Sequence, residues 1–287
     1  MGPAIFSVMK TSLNLLLWTT RVTAEDLRHV ECLRTAGYDG VEVPIHQPDE
    51  AHHAEIGRFI RDLGMSCTVS TALPGAHADF LSPDRSVGNA AADYLKSVVD
   101  SAAALGAVLV MGPIYQALGV FSGTAPTDDE FHRAADGLRP VADHAAAAGI
   151  RLMIEPLNRF ECHLVNTLEA GARLVSEISR PNVAIAYDAF HANIEEKDPL
   201  AAIDRFHSVI GHVHISENDR GAPGSGHLPL EETIRRFLGH GYEGWFVVES
   251  FGTALPDLAA ATRCWRPTFT SEQEVVDAGA RLFSGFR

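Results

Sequence analysis

Four cysteines in 287 residues, at Cys32, Cys67, Cys162 and Cys264, leave no C-x-x-C pair from which a structural zinc knot could be built. The reduced cytoplasm is the default setting for such a chain. Positive charge is also scarce, with 23 Lys and Arg against 37 Asp and Glu and a net charge of −14. A surface this acidic repels a phosphate backbone, so no nucleic-acid partner is expected. No apolar run approaches the roughly 18 residues of a membrane span, so no membrane partner is expected either. Residues 1–8 lack a basic region followed by a long apolar run. They read as a short extension before the first strand, not as a secretory signal. The chain has no Gly-Lys-Ser/Thr phosphate loop, no serine nucleophile elbow and no His-Glu-x-x-His pair, and the mechanisms built on those motifs drop out.

What is present is an alternating rhythm. Hydrophobic residues make up 46% of the chain, enough for a large core. Short β-type runs at 11–17, 40–44, 66–72, 107–113, 151–156, 183–188, 211–216 and 245–250 alternate with helical spacing at 24–36, 54–63, 87–105, 129–148, 167–178, 199–206, 230–238 and 272–282. Thr23 ahead of Asp26, and Thr127 ahead of Glu130, resemble helix N-caps. Gly37, Gly64, Gly106, Gly149 and Gly239 sit where helices should stop. Eight strand–helix units without a linker predict a closed parallel α/β barrel, the (β/α)8 or TIM barrel, as one domain over residues 1–287. An open doubly wound sheet would carry a Gly-rich turn after its first strand; here Leu17-Trp18-Thr19-Thr20 stands in that place.

In such barrels the chemistry sits at the C-terminal ends of the strands. The last four candidate strands end at Glu155, Asp188, His214 and Glu249. A carboxylate closing an apolar strand is costly to bury without a partner, and four such tips around half a barrel converge on one point. Three carboxylates and one imidazole suit a hard or borderline cation such as Mn²⁺, Mg²⁺ or Co²⁺. His212 and His214 share a face, and His214, nearer the strand end, is the better ligand. His212 reads as a barrel-filling neighbour. Glu42 closes the second strand and is as readily a buried, hydrogen-bonded carboxylate as a catalytic one. Trp18 either walls the pocket or simply packs, and Cys67 reads as a small core residue. The run from Arg220 to His227, rich in glycine, reads as a mobile loop over the substrate.

These residues resemble the ketose 3-epimerases, the D-tagatose and D-allulose 3-epimerase group of the xylose-isomerase-like barrels. The resemblance is carried by Glu155-Pro-Leu-Asn-Arg-Phe-Glu161, by Asp188-Ala-Phe-His191-Ala-Asn-Ile-Glu-Glu, and by Gly-His-Val-His214-Ile-Ser-Glu-Asn-Asp-Arg220. Gly224-Ser-Gly-His-Leu-Pro, Glu249-Ser-Phe and, in the first half, Gly-Tyr-Asp-Gly-Val-Glu42 extend it. The resemblance implies one divalent cation, Mn²⁺ foremost with Co²⁺ or Mg²⁺ as substitutes, held by Glu155, Asp188, His214 and Glu249. It implies that Glu155 and Glu249 flank the reacting carbon and exchange its proton. It implies that Glu161, His191 and Arg220 grip a small sugar, and that the chain assembles as a homodimer or homotetramer. The expected activity is inversion of carbon 3 of free ketoses through a cis-enediolate.

Three alternatives stand beside it. A related isomerase of a sugar phosphate, hydroxypyruvate or a keto-acid sugar draws on the Gly-rich run. A repair nuclease on the same barrel would need more zinc ligands and a basic groove. A non-catalytic sugar-binding protein would have no use for both Glu155 and Glu249.

Overall fold

The strands are β1 (Lys10–Leu13), β2 (Gly40–Pro44), β3 (Ser66–Ser70), β4 (Leu109–Gly112), β5 (Arg151–Ile154), β6 (Val183–Asp188), β7 (Ile210–Ile215) and β8 (Trp245–Val248). The structure is a computed structural model that describes residues 9–287; the expected extension at residues 1–8 lies outside the described residues. Most strands are shorter than their apolar runs. The first departs furthest. It ends at Leu13, where Asn14 accepts from the Leu16 N–H and caps a 3₁₀ turn over Leu15–Leu17.

All strand pairs are parallel, in the order β1-β8-β7-β6-β5-β4-β3-β2. The ring closes between β1 and β2 through an Asn14–Glu42 bridge and a 2.9 Å bond from the Asp39 N–H to the Thr11 carbonyl. Side chains brace this seam. The Asp39 carboxylate accepts from the Thr11 N–H and hydroxyl, and Arg287 donates to both the Thr11 hydroxyl and Asp39. The result is a (β/α)8 barrel.

Helices α1 (Leu27–Thr35), α2 (Glu50–Asp62), α3 (Arg85–Leu105), α4 (Asp128–Ala147), α5 (Leu168–Ile178), α6 (Ala189–Glu195), α7 (Pro199–Phe206), α8 (Leu230–Gly239), α9 (Pro256–Thr262) and α10 (Glu272–Ser284) fill the connections. Thr127 and Glu130 form a reciprocal capping box at α4. The box of Thr23 and Asp26 caps a 3₁₀ turn that precedes α1, so that helix starts later than its spacing suggested. Gly106 closes α3 at φ +84°. α8 ends at Gly239 as its last helical residue, but the left-handed turn is made by Gly241 two residues on. Neither α6 nor α9 stands out in the sequence.

Strand alternation decides what fills the barrel. Leu109, Met111, Met153, Ala184, Ala186, Trp245 and Val247 form one buried cluster, and they are alternate residues of β4, β5, β6 and β8. The next inward positions on those last three strands are Glu155, Asp188 and Glu249. The opposite wall is polar: Glu42 on β2 meets His212 and His214 on β7 across the lumen.

Candidate active site

Glu155, Asp188, His214 and Glu249 come together at the C-terminal end of the barrel. Each offers one ligand atom, and all four atoms lie within 4.8 Å of one another. All four residues are buried. Asp188 also caps α6, its Oδ1 accepting from the Phe190 N–H at 2.7 Å, which turns its Oδ2 to the centre. His214 Nδ1 is 3.4 Å from Glu249 Oε1, 3.7 Å from Glu155 Oε1 and 3.9 Å from Asp188 Oδ2. It has no hydrogen-bond partner, while Nε2 on the far side is taken by Glu42 at 2.7 Å. A buried, unpartnered ring nitrogen facing three carboxylates calls for positive charge between them. Three oxygens and one imidazole nitrogen at these separations fit a divalent cation.

Electrostatics point the same way. Burial drives the Glu155 carboxyl well above its usual range, and Glu249 and Asp188 beside it push in the same direction against the pull of His214. Burial opposes charge on His214, yet Glu249 and Glu42 outweigh it and hold the imidazole proton well above the usual histidine range. Like charges this close are stable only with a proton or a cation among them.

The residues expected to grip the sugar line the same pocket, together with His46, Leu16, Leu118 and Leu258. Arg220 sits at φ +63°, a backbone region a bulky residue rarely occupies. Its guanidinium lies between the rings of Phe190 and Phe251, with centroids at 4.0 and 4.8 Å. It donates to Asp188 Oδ2 at 2.9 Å and Glu249 Oε2 at 2.8 Å. Its placement therefore ties it to two cluster carboxylates as well as to the pocket. His191 accepts the Asn158 N–H at Nδ1, 3.0 Å away. Burial, then the charge on Arg220, lowers its pKa to about 3 and keeps the ring neutral. A neutral ring that accepts at Nδ1 carries its proton on Nε2. That nitrogen lies 2.9 Å from Arg220 NH2, so two donors face each other. Glu161 is held by the Asn158 amide at 2.8 Å, and burial raises its pKa more than Arg220 lowers it.

One expectation about the surroundings changes, and one open reading is decided. The Gly-rich run after Arg220 does not cover the pocket. It wraps around Glu217, whose buried carboxylate accepts from the N–H groups of Asn218, Gly224 and Leu228. None of residues 221–227 lines the pocket. Leu258, Ala261 and Thr262 of α9 border it instead. Trp18 does not wall the pocket; its indole stacks on His29 with ring centroids 4.4 Å apart, and Leu16 takes the wall position. His212 is a barrel-filling neighbour and Cys67 is buried. Asn14 was not singled out by the sequence, yet its amide donates to both Glu42 and Glu249. Its only signal was inward parity with Ser12.

A larger cavity, about 720 Å³, opens at the other end of the barrel beside Lys10, Arg151 and Trp245. It holds none of the clustered acids, and ligands of such barrels are handled at the C-terminal face, so the smaller pocket is the candidate site. Among the described residues, no helix is long and apolar enough to cross a membrane.

Known proteins share this fold and sequence. The sequence model of the xylose isomerase-like TIM barrel family matches residues 30–268. The ketose 3-epimerase of Arthrobacter globiformis is 32% identical over 270 residues, 93% of this chain and 93% of that protein. The L-ribulose 3-epimerase of Mesorhizobium japonicum is 30% identical over 279 residues, 96% and 93% of the two chains. A solved L-ribulose 3-epimerase superposes with a TM-score of 0.89 at 30% identity, covering 96% of this chain and 93% of the other. The chain belongs to the xylose isomerase-like TIM barrel family and, within it, to the ketose 3-epimerase group of isomerases.

Proposed function

We propose that the chain is a single-domain, divalent-cation-dependent epimerase that inverts carbon 3 of free ketoses. The observation that carries this reading is the unpartnered Nδ1 of His214 facing Glu155, Asp188 and Glu249 beside a pocket lined by polar groups. These four side chains would hold the cation, with Mn²⁺ the first choice and Co²⁺ or Mg²⁺ as substitutes. Bound there, the cation would supply positive charge next to two adjacent substrate oxygens as negative charge develops on them.

The chain's own groups account for the rest. Glu155 directly follows β5 and Glu249 directly follows β8, with two strands between them around the ring, and both line the pocket. One removes the proton from carbon 3, leaving a cis-enediolate, and the other returns a proton to the opposite face. Each such transfer is typically worth ~10²–10⁴-fold. The opposed donors of His191 and Arg220 can both be satisfied by one substrate oxygen seated beside them within reach of each, and Glu161 accepts from a sugar hydroxyl. The phosphorylated alternative loses the support of the Gly-rich run, since the N–H groups of Gly224 and the adjacent Leu228 are taken by Glu217.

The same reading makes the protein a cytoplasmic homodimer or homotetramer, as the resemblance implies. Proton NMR of a ketose panel in D₂O with added Mn²⁺ tests the reading. Deuterium is expected at carbon 3 with the matching epimer as product. Exchange at another carbon, or none with any ketose, would sink it. A preference for phosphorylated ketoses would replace the substrate class.

A further inference from the structure

Glu42 does not border the pocket, yet its whole accepting capacity is committed. Oε1 accepts from His214 Nε2 at 2.7 Å and from the Asn14 amide at 3.1 Å. Oε2 accepts from His212 Nε2 at 2.8 Å and from the Thr68 hydroxyl at 2.8 Å. The residue is fully buried. An ionised carboxylate only accepts, so both imidazoles must present their N–H at Nε2. For His214 that leaves Nδ1 directed at Glu155, Asp188 and Glu249, where its lone pair is free to ligate once a cation takes the place of the second ring proton. The Asn14 amide also donates to Glu249 Oε1 at 3.0 Å, so Glu42 reaches a second member of the cluster through one bridging side chain. Glu42, His212 and His214 are close enough to suggest an ion of their own. The hydrogen bonds argue otherwise, since they occupy both carboxylate oxygens and both Nε2 atoms.

We propose that Glu42 is a positioning residue for the cation cluster: it holds His214 as the Nε2–H tautomer with Nδ1 free to ligate, and through Asn14 it orients Glu249. The proposal rests on the divalent-cation reading above. It treats the lumen-spanning Glu42–His214 bond as an outer support that sets the direction and basicity of a ligand.

The test is titration calorimetry with Mn²⁺ alone on metal-stripped wild type, Glu42→Gln, Glu42→Asp and Thr68→Val, each also followed by thermal melting. In Glu42→Gln the amide nitrogen must face one of the two imidazoles and oppose its N–H. Mn²⁺ binding is expected to weaken by about 10–100-fold. Glu42→Asp restores the charge at a shorter reach and should fall between the two. Thr68→Val removes a donor to Glu42 without touching a histidine, and its affinity should stay within about threefold of wild type, small beside the loss expected of a ligand support. With Co²⁺ as probe, the visible spectrum of Glu42→Gln should differ from that of wild type.

Wild-type affinity and spectrum in folded Glu42→Gln overturn the proposal. So does an equal loss in Thr68→Val, which would mean general loosening of the barrel interior. Should Glu42→Gln fail to fold, Glu42→Asp is judged against Thr68→Val by the same criteria. Wild type that does not bind Mn²⁺ overturns this proposal and the functional reading together. Tight wild-type binding without exchange at carbon 3 overturns the functional reading alone.

Discussion

At the scale of the residue, the site concentrates charge that its surroundings can barely hold. Arg220 shows the cost: a left-handed backbone, two aromatic faces and two carboxylates fix one guanidinium. A lysine could keep the charge but not the fork or the stacking. Arg220→Lys is therefore expected to lower kcat/KM by at least about tenfold, equivalent to ~1.4 kcal/mol of transition-state stabilisation. Steady-state kinetics on the preferred ketose measure it, and an unchanged value would remove Arg220 from the substrate-handling groups. Glu155→Gln and Glu249→Gln keep the shape of the side chain and remove the base. Each should cost ~10²–10⁴-fold in kcat. Near-normal turnover in both would end the proton-transfer assignment. The four convergent tips were legible because an acid or histidine at the end of an apolar strand has no packing reason to be there. Asn14 and Glu42 were harder to read, since a polar residue on an inward face gains meaning only once its partner across the lumen is known.

At the scale of the element, close approach and cover matter most. On α2, Gly57 packs against the end of α3 so tightly that a Cβ would overlap the Leu105 carbonyl. Backbone cannot yield as a flexible side chain can, and overpacking typically costs about 1–3 kcal/mol. Gly57→Ala should lower the denaturant midpoint accordingly, with the slope unchanged. At the other end, α9 brings Leu258 to the pocket rim. Leu258→Ala should raise KM several-fold while leaving kcat nearly intact, the pattern of lost uniform binding. A fall in kcat alone would place α9 nearer the chemistry than its rim position implies. Strands and most helices followed from periodicity and caps. The short helices did not: α6 and α9 each span seven residues, too few for a helical period to declare itself, and packing on the barrel end sets them.

At the scale of the whole molecule, the proposed cation would link fold and function. The cluster draws on strands β5 to β8, so an ion bound there fastens half the barrel. Mn²⁺ at 100-fold over its dissociation constant should add about 2.7 kcal/mol to the folded state. For a chain of this size the melting temperature should rise by several degrees. Differential scanning calorimetry with and without a chelator checks this, and chelation should abolish turnover until Mn²⁺ is returned. An identical melt in both conditions, or full activity after verified metal removal, would contradict the site. The opposite half is closed by hydrogen bonds at the β1–β2 seam, where Arg287 reaches Thr11 and Asp39.

The sequence by itself determined the eightfold alternation, the barrel, and the four tips at Glu155, Asp188, His214 and Glu249, because strand parity and the penalty on lone buried charge are local rules. Tertiary structure alone decided the partners. Whether Glu42 braces a histidine or binds substrate, whether the Gly-rich run covers the pocket or wraps Glu217, and which helix reaches the rim all depend on contacts between residues far apart in the chain. Periodicity along a strand says which way a side chain points, but not what stands opposite it.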